Sequence, residues 1–166
     1  AFSGKYYRFD DLGIEPKPVQ RPIPIWIAAS DNDNALRRVA RLGDGWFTVA
    51  HTVAQFIERR RKIDHYAKEY GRPSERMPSV LFAAFHLSHG ARTEEEGWGL
   101  AESYFRQPRT KLGHLSAFFG TPEQCAEKLR AYIKGGMTGI AARSVAEDVQ
   151  TQMRLMLDEL RPRLSQ

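Results

Sequence analysis

Three histidines, a serine and an arginine are the side chains in this sequence best placed to do chemistry. His51, His86 and His89 fall at or near the ends of two apolar segments, GWFTVA (45–50) and SVLFAAFHLSH (79–89). Histidine exchanges a proton near neutral pH, so each is a candidate acid, base or substrate contact. Each could equally be a satisfied polar residue at a sheet end. No aspartate or cysteine lies at metal-ligand spacing to them, so no zinc site is expected. Ser30 follows the apolar run IPIWIAA (23–29) and precedes a helical pattern. There it could donate to a phosphate at a helix N-terminus, where free N–H groups favour an anion, or simply cap the helix. Arg143 lies at the end of TGIAARSV (138–145), where it would meet an anionic cofactor or substrate group, or make a structural ion pair.

These residues need strands and helices to hold them. IPIWIAA is apolar throughout, which suits a strand buried on both faces of a parallel sheet. Ser30, Asp31, Asn32 and Asp33 offer caps for a helix whose Ala35, Leu36, Val39, Ala40 and Leu42 share a face, and Gly43 stops it. Asp44 in the following Gly-Asp-Gly organises a tight turn, and Trp46 begins a core strand. Thr52 caps a longer helix, from about residue 53 to 70, and Arg72-Pro73-Ser74 forms a turn. Residues 79–89 are the third strand, and 93–106 a helix interrupted by Gly97 and Gly99. QPRTKLGHLSAFFG (107–120) reads as a loop with a short helix. Thr121-Pro122-Glu123-Gln124 combines a cap, a first-turn proline and a capping-box glutamine. Residues 138–145 form the fourth strand. A last helix covers about 147–160, ended by Pro162.

Prolines at 16, 18, 22 and 24 make residues 1–22 an extended lead-in, with a hairpin arm near Tyr6–Phe9, and 23–166 the folded unit. The chain has 166 residues, 42% hydrophobic and 27% charged, with a net charge of +5. No apolar run is long enough to span a bilayer, and the N-terminal residues do not read as a secretion signal. Cys125, the only cysteine, is expected as a small buried side chain, and a reducing cytoplasm is the simplest compartment. The basic run RRRK (59–62) sits in a helical pattern and reads as a solvated face, so no nucleic acid is expected as a partner.

Strands alternating with helices imply an α/β fold with a parallel sheet. Four parallel strand–helix units make either half of a TIM (β/α)8 barrel or a small open flavodoxin-like sheet, and periodicity does not choose between them. In both, ligands meet the loops at the carboxyl ends of the strands.

PKPVQRPIPIWIAAS, ALRRVARLGDGW and GTPEQCAEKLRAYIKGGMTGI together resemble the C-terminal half of the luciferase-like flavin-dependent oxidoreductases, which include enzymes using the deazaflavin coenzyme F-420. The resemblance covers roughly residues 2–164. It implies a barrel in which the backbone after the Pro-Ile-Trp strand lies against the cofactor, here Ala28, Ala29 and Ser30. This chain has Ala29-Ser30 where many relatives carry Gly-Gly or Gly-Ala. The resemblance also implies monooxygenation with FMN or hydride transfer with F-420, on a small organic substrate. Members are about twice this length, so the chain is expected to be a fragment, a truncated relative, or half of an assembly. The alternative is a non-catalytic half-barrel that dimerises through its open sheet edges.

Overall fold

Helix starts follow the strongest local signals. Thr121 Oγ1 accepts from the Gln124 N–H at 3.3 Å, while Gln124 Oε1 accepts from the Thr121 N–H at 2.9 Å. Thr52 and Gln55 form a second capping box. Each satisfies two orphan donors of a first turn, worth about 1 kcal/mol.

The computed structural model describes residues 1–72, 77–90 and 92–164. Pro73 and Ser74 of the expected turn lie outside them. A two-residue hairpin, β1 (Phe2–Ser3) and β2 (Arg8–Phe9), pairs antiparallel within an exposed N-terminal segment. Then follow β3 (Trp26–Ala28), α1 (Asp33–Leu42), β4 (Gly45–Thr48), α2 (Val53–Glu69) and β5 (Ser79–Leu87). Next come α3 (Thr93–Phe105), a 3-10 turn (Arg109–Lys111), β6 (Ala117–Gly120), α4 (Pro122–Lys134) and β7 (Gly139–Ser144). The chain closes with α5 (Val149–Arg154), a π-helical segment (Leu155–Leu160) and α6 (Arg161–Arg163).

All strands of the main sheet are parallel: β3 pairs β4, β4 pairs β5, and β5 pairs β7. The four expected strands therefore stand side by side in chain order. A fifth, β6, falls where a loop was expected. It pairs with the carboxyl half of β5, Ala84–Leu87. Ala84 pairs both Ala117 of β6 and Arg143 of β7, so those strands flank β5 on opposite sides. By the same logic, Leu81 has β4 on one side and β7 on the other. Thus β4 and β6 share one edge of β5.

Side chains of β5 alternate between two clusters, as strand geometry requires. Leu81, Ala83, Phe85 and Leu87 join Leu36, Val39, Phe56, Ile63, Leu129 and Tyr132 in a core packed by α1, α2 and α4. Ala84 instead joins Trp98 and Ala101 of α3, with Leu112, Leu115 and Val145. So α3 lies on the opposite, inner face. The crossover helices α1, α2 and α4 share the outer face, and β3, β4, β5 and β7 stand in chain order, with β6 alone out of sequence. A doubly wound sheet puts helices on both faces and reverses its order, so this arrangement is barrel-like.

Three expectations are corrected. The β3 strand is not buried on both faces: Trp26 is 46% exposed and Ala28 is also exposed, because no helix among the described residues covers the inner face there. Pro162 does not end the last helix, which runs on through Arg163 after the wider π-helical turn. RRRK is not simply a solvated face. Arg59 is buried, and Arg60 donates to the Met77 carbonyl at 2.7 Å and to Ser79 Oγ at 2.6 Å. Position 59 stands three after Phe56 and four before Ile63, within the buried stripe of α2.

Candidate active site at the strand tips

Sheet geometry brings the loops after β3 and β4 together. The Ala29 N–H donates to the Phe47 carbonyl at 3.0 Å. The Trp46 indole N–H, fully buried, donates to the Ala29 carbonyl at 2.9 Å. Asp44 anchors the other end of this pair: its carboxylate accepts from the Ile25 N–H at 2.9 Å. The expected turn role of Asp44 and core role of Trp46 both hold.

Above these contacts lies a cavity of about 530 Å³. Its walls are the loop Ala28–Asn32 and the rings of Phe47 and Phe82, whose centroids are 6.1 Å apart. Ala28, Ala29 and Ser30 thus share one cavity. Ser30 is not the cap of α1. Asn32 is, accepting from the Ala35 N–H at 3.1 Å. The Ser30 hydroxyl has no hydrogen-bond partner among the described residues.

Both aspartates near this loop are engaged. Arg59 pairs with Asp31 and donates to the Val49 carbonyl, tying the tips of β3 and β4 together. Asp33 accepts from Lys62 at 3.1 Å, which holds the Lys62 ammonium above its ordinary range. The tip of β4 is pinned further. Ser116 Oγ bonds both the N–H and the carbonyl of Ala50 at 2.9 Å, and the Tyr132 hydroxyl donates to the same carbonyl at 2.9 Å. At the tip of β5, Gln152 exchanges two hydrogen bonds with the Leu87 backbone.

Arg143 lies on the inner face beside this cavity. Its guanidinium sits 5.3 Å from the Phe82 ring centroid and donates to the Tyr104 hydroxyl at 3.0 Å. It has no carboxylate partner among the described residues. Ser30 and Arg143 therefore flank the same aromatic floor.

The three histidines are not gathered into one site. His51 and His89 line a separate cleft of about 770 Å³ with Arg109 and Lys128. There His51 Nδ1 is 3.3 Å from the Leu115 carbonyl, and His89 Nε2 is 3.3 Å from Glu159 Oε1. Burial lowers the Lys128 ammonium from its ordinary value. His86 is buried on the inner face beneath α3, and Glu96 Oε2 lies 3.8 Å from its Nε2. Cys125 is buried as expected, and burial pushes its thiol up to about 12, removing it as a nucleophile.

Spacing singled out neither Phe47 nor Phe82, because a strand's side-chain alternation is invisible until its faces are assigned. Arg59 was discernible from its place in the α2 stripe.

A parallel half-barrel with a cavity at the carboxyl ends of its strands defines the α/β-barrel class. The family model described as luciferase-like monooxygenase matches residues 1–139, and the chain belongs to that family. An FMNH2-dependent dimethylsulfone monooxygenase of Pseudomonas putida is 36% identical over 53 residues, which are 32% of this chain and 15% of that enzyme. An F-420-dependent secondary alcohol dehydrogenase, solved with an F-420–acetone adduct, superposes with a TM-score of 0.77 at 14% identity. That match covers 98% of this chain and 55% of the other. Monooxygenase RslO1 from Streptomyces bottropensis gives 0.75 at 20% identity, covering 97% and 54%. These likenesses establish the fold as a partial (β/α)8 barrel, and the open flavodoxin-like alternative falls. The chain spans about half the length of the structures it matches. Among the described residues no helix is long and apolar enough to cross a membrane.

Proposed function

We propose that the chain is the carboxyl-terminal half-barrel of a flavin- or deazaflavin-dependent oxidoreductase, acting on a small organic substrate. The observation that carries this is the cavity at the β3 and β4 tips, with an aromatic floor and a small-residue rim. Phe47 and Phe82 suit the face of a flat conjugated ring. Ala28 and Ala29 allow close approach, and the free Ser30 hydroxyl can donate to an anionic tail near the start of α1. Arg59 and Lys62 offset the aspartates that would repel that tail. Arg143 supplies a second cation beside the ring slot. When bound, the cofactor supplies the two-electron chemistry, while these residues hold it and exclude water from one side. FMN and coenzyme F-420 share this recognition chemistry.

Titrating the chain with FMN and with F-420, followed by cofactor fluorescence, tests the reading. Saturable binding by one of them, weakened on the order of tenfold or more in Phe47→Asp, is expected. A chain that quenches neither cofactor overturns it.

A second reading has its own observation. Ile23, Ile25 and Trp26 are all about half exposed beside the unpaired edge of β3, a surface suited to coverage by further barrel strands or another chain. A homodimer in light scattering without cofactor binding would favour a non-catalytic assembly subunit.

A further inference from the structure

The floor between β5 and α3 holds a feature that the flavin reading does not use. His86 retains 9% of its surface, and neither ring nitrogen has a hydrogen-bond partner among the described residues. Buried polar groups left unpaired cost free energy and are rare. Glu96 Oε2 stands 3.8 Å from Nε2, within ion-pair distance but beyond hydrogen-bond range. The two residues line a cavity with Gly99, Leu100 and Ser103 of α3. Gly99 is an independent clue. Its neighbour Gly97 is required by packing, since a Cβ there would meet Phe119 Cγ at 2.4 Å. At Gly99 a Cβ would meet nothing within 4 Å, and the backbone is ordinary helix. Packing therefore gives no reason for a helix-weakening residue here, whereas keeping the cavity open does.

We propose that this cavity binds a small uncharged group carrying an O–H or N–H donor, such as an alcohol hydroxyl. The chemistry follows from counting donors. A carboxylate only accepts, and a neutral imidazole has one N–H and one accepting nitrogen. Glu96, over half exposed, presents only acceptors at the rim, and the buried His86 ring adds one acceptor and one donor, so an incoming donor finds more partners here than an incoming acceptor. An incoming carboxylate adds acceptors and is repelled by Glu96. The inference stands apart from the flavin reading, because the pair needs no cofactor to hold a hydroxyl.

NMR of the full chain carrying nitrogen-15 histidine tests it, with 1-butanol and butyrate as probes. His86→Gln identifies the ring signals of His86. Butanol is expected to shift those signals saturably, and butyrate to bind on the order of tenfold more weakly. Glu96→Gln should narrow that gap. Gly99→Leu should abolish the butanol response while the thermal transition persists, which carries the test if His86→Gln fails to fold. Histidine signals indifferent to butanol, an equal response to butyrate, or an undiminished response in Gly99→Leu would overturn the proposal. FMN and F-420 titrations of the same sample separate the two readings: a butanol response without cofactor binding defeats the flavin assignment alone.

Discussion

On the outer face of the sheet, Trp46, Phe85 and Leu81 are sealed under α1, α2 and α4, and the rings of Trp46, Phe56 and Tyr132 pack in sequence. On the inner face, Trp26, Phe47 and Phe82 are just as apolar, yet all three remain partly open. The same strands supply both faces. What differs is the presence of the crossover helices α1, α2 and α4, all on the outer side, whereas α3 alone covers the inner face, around Ala84 and His86. An apolar surface left uncovered on the other side is available for a ring, a hydroxyl or another piece of barrel. The largest buried side chains therefore lie on the outer face, with a smaller buried cluster and the open cavity on the inner one.

Substitutions can break that division. Trp46→Ala removes a fully buried indole and its bond to the Ala29 carbonyl, and should lose about 3–5 kcal/mol in urea unfolding. Phe82→Ala, on the half-covered face, should lose about 1 kcal/mol or less. Equal losses would erase the distinction. The outer core also predicts alkaline sensitivity. Burial raises the Cys125 thiol from 9.0 to about 12 and the Tyr132 hydroxyl from 10.0 to about 12. A folded pKa above the unfolded one means the unfolded chain loses its proton first. This contribution is whole below about pH 9 and is lost as pH climbs towards about 12. Urea midpoints between pH 8 and pH 11 should fall less steeply in Cys125→Ala than in the parent chain.

The two glycines of α3 offer a finer contrast. Gly97→Ala should destabilise by about 1–3 kcal/mol through its clash with Phe119. Gly99→Ala should stabilise by about 0.5–1 kcal/mol through helix propensity alone. Thermal melts of both variants check the pair. The smallest effect is Arg143→Met, expected within about 0.5 kcal/mol because the residue is exposed and has no acidic partner among the described residues.

Much of this division was legible in the residues. Thr52 and Thr121 announced their helices, Gly43 ended one, and IPIWIAA, GWFTVA and TGIAARSV marked parallel strands by their apolar runs. Those runs overstated burial, because a strand designed for two covered faces reads the same when one stands open. AFFG hid as β6 because four residues after a Gly-His-Leu stretch carry too little pattern to distinguish strand from loop. The inner placement of α3 was equally hidden. Its Trp98 and Ala101 would suit either side of the sheet, and only the alternation along β5 decides which. Around the cavity, Ser30 stood out by its place after an apolar run and Ala28 and Ala29 only through the family resemblance, while Phe47, Phe82 and Glu96 needed the faces assigned. The histidines part into two clefts, His51 and His89 in one and His86 in the other.

The hydrogen bond from Trp46 to the Ala29 carbonyl has an optical consequence. One end of the loop that rims the cavity is wired to a dry indole, so any ligand that tugs that carbonyl must alter the polarity the chromophore feels. Its emission, once the other buried indole Trp98 is replaced, then becomes an internal gauge of loop position, distinct from the wet indole of Trp26.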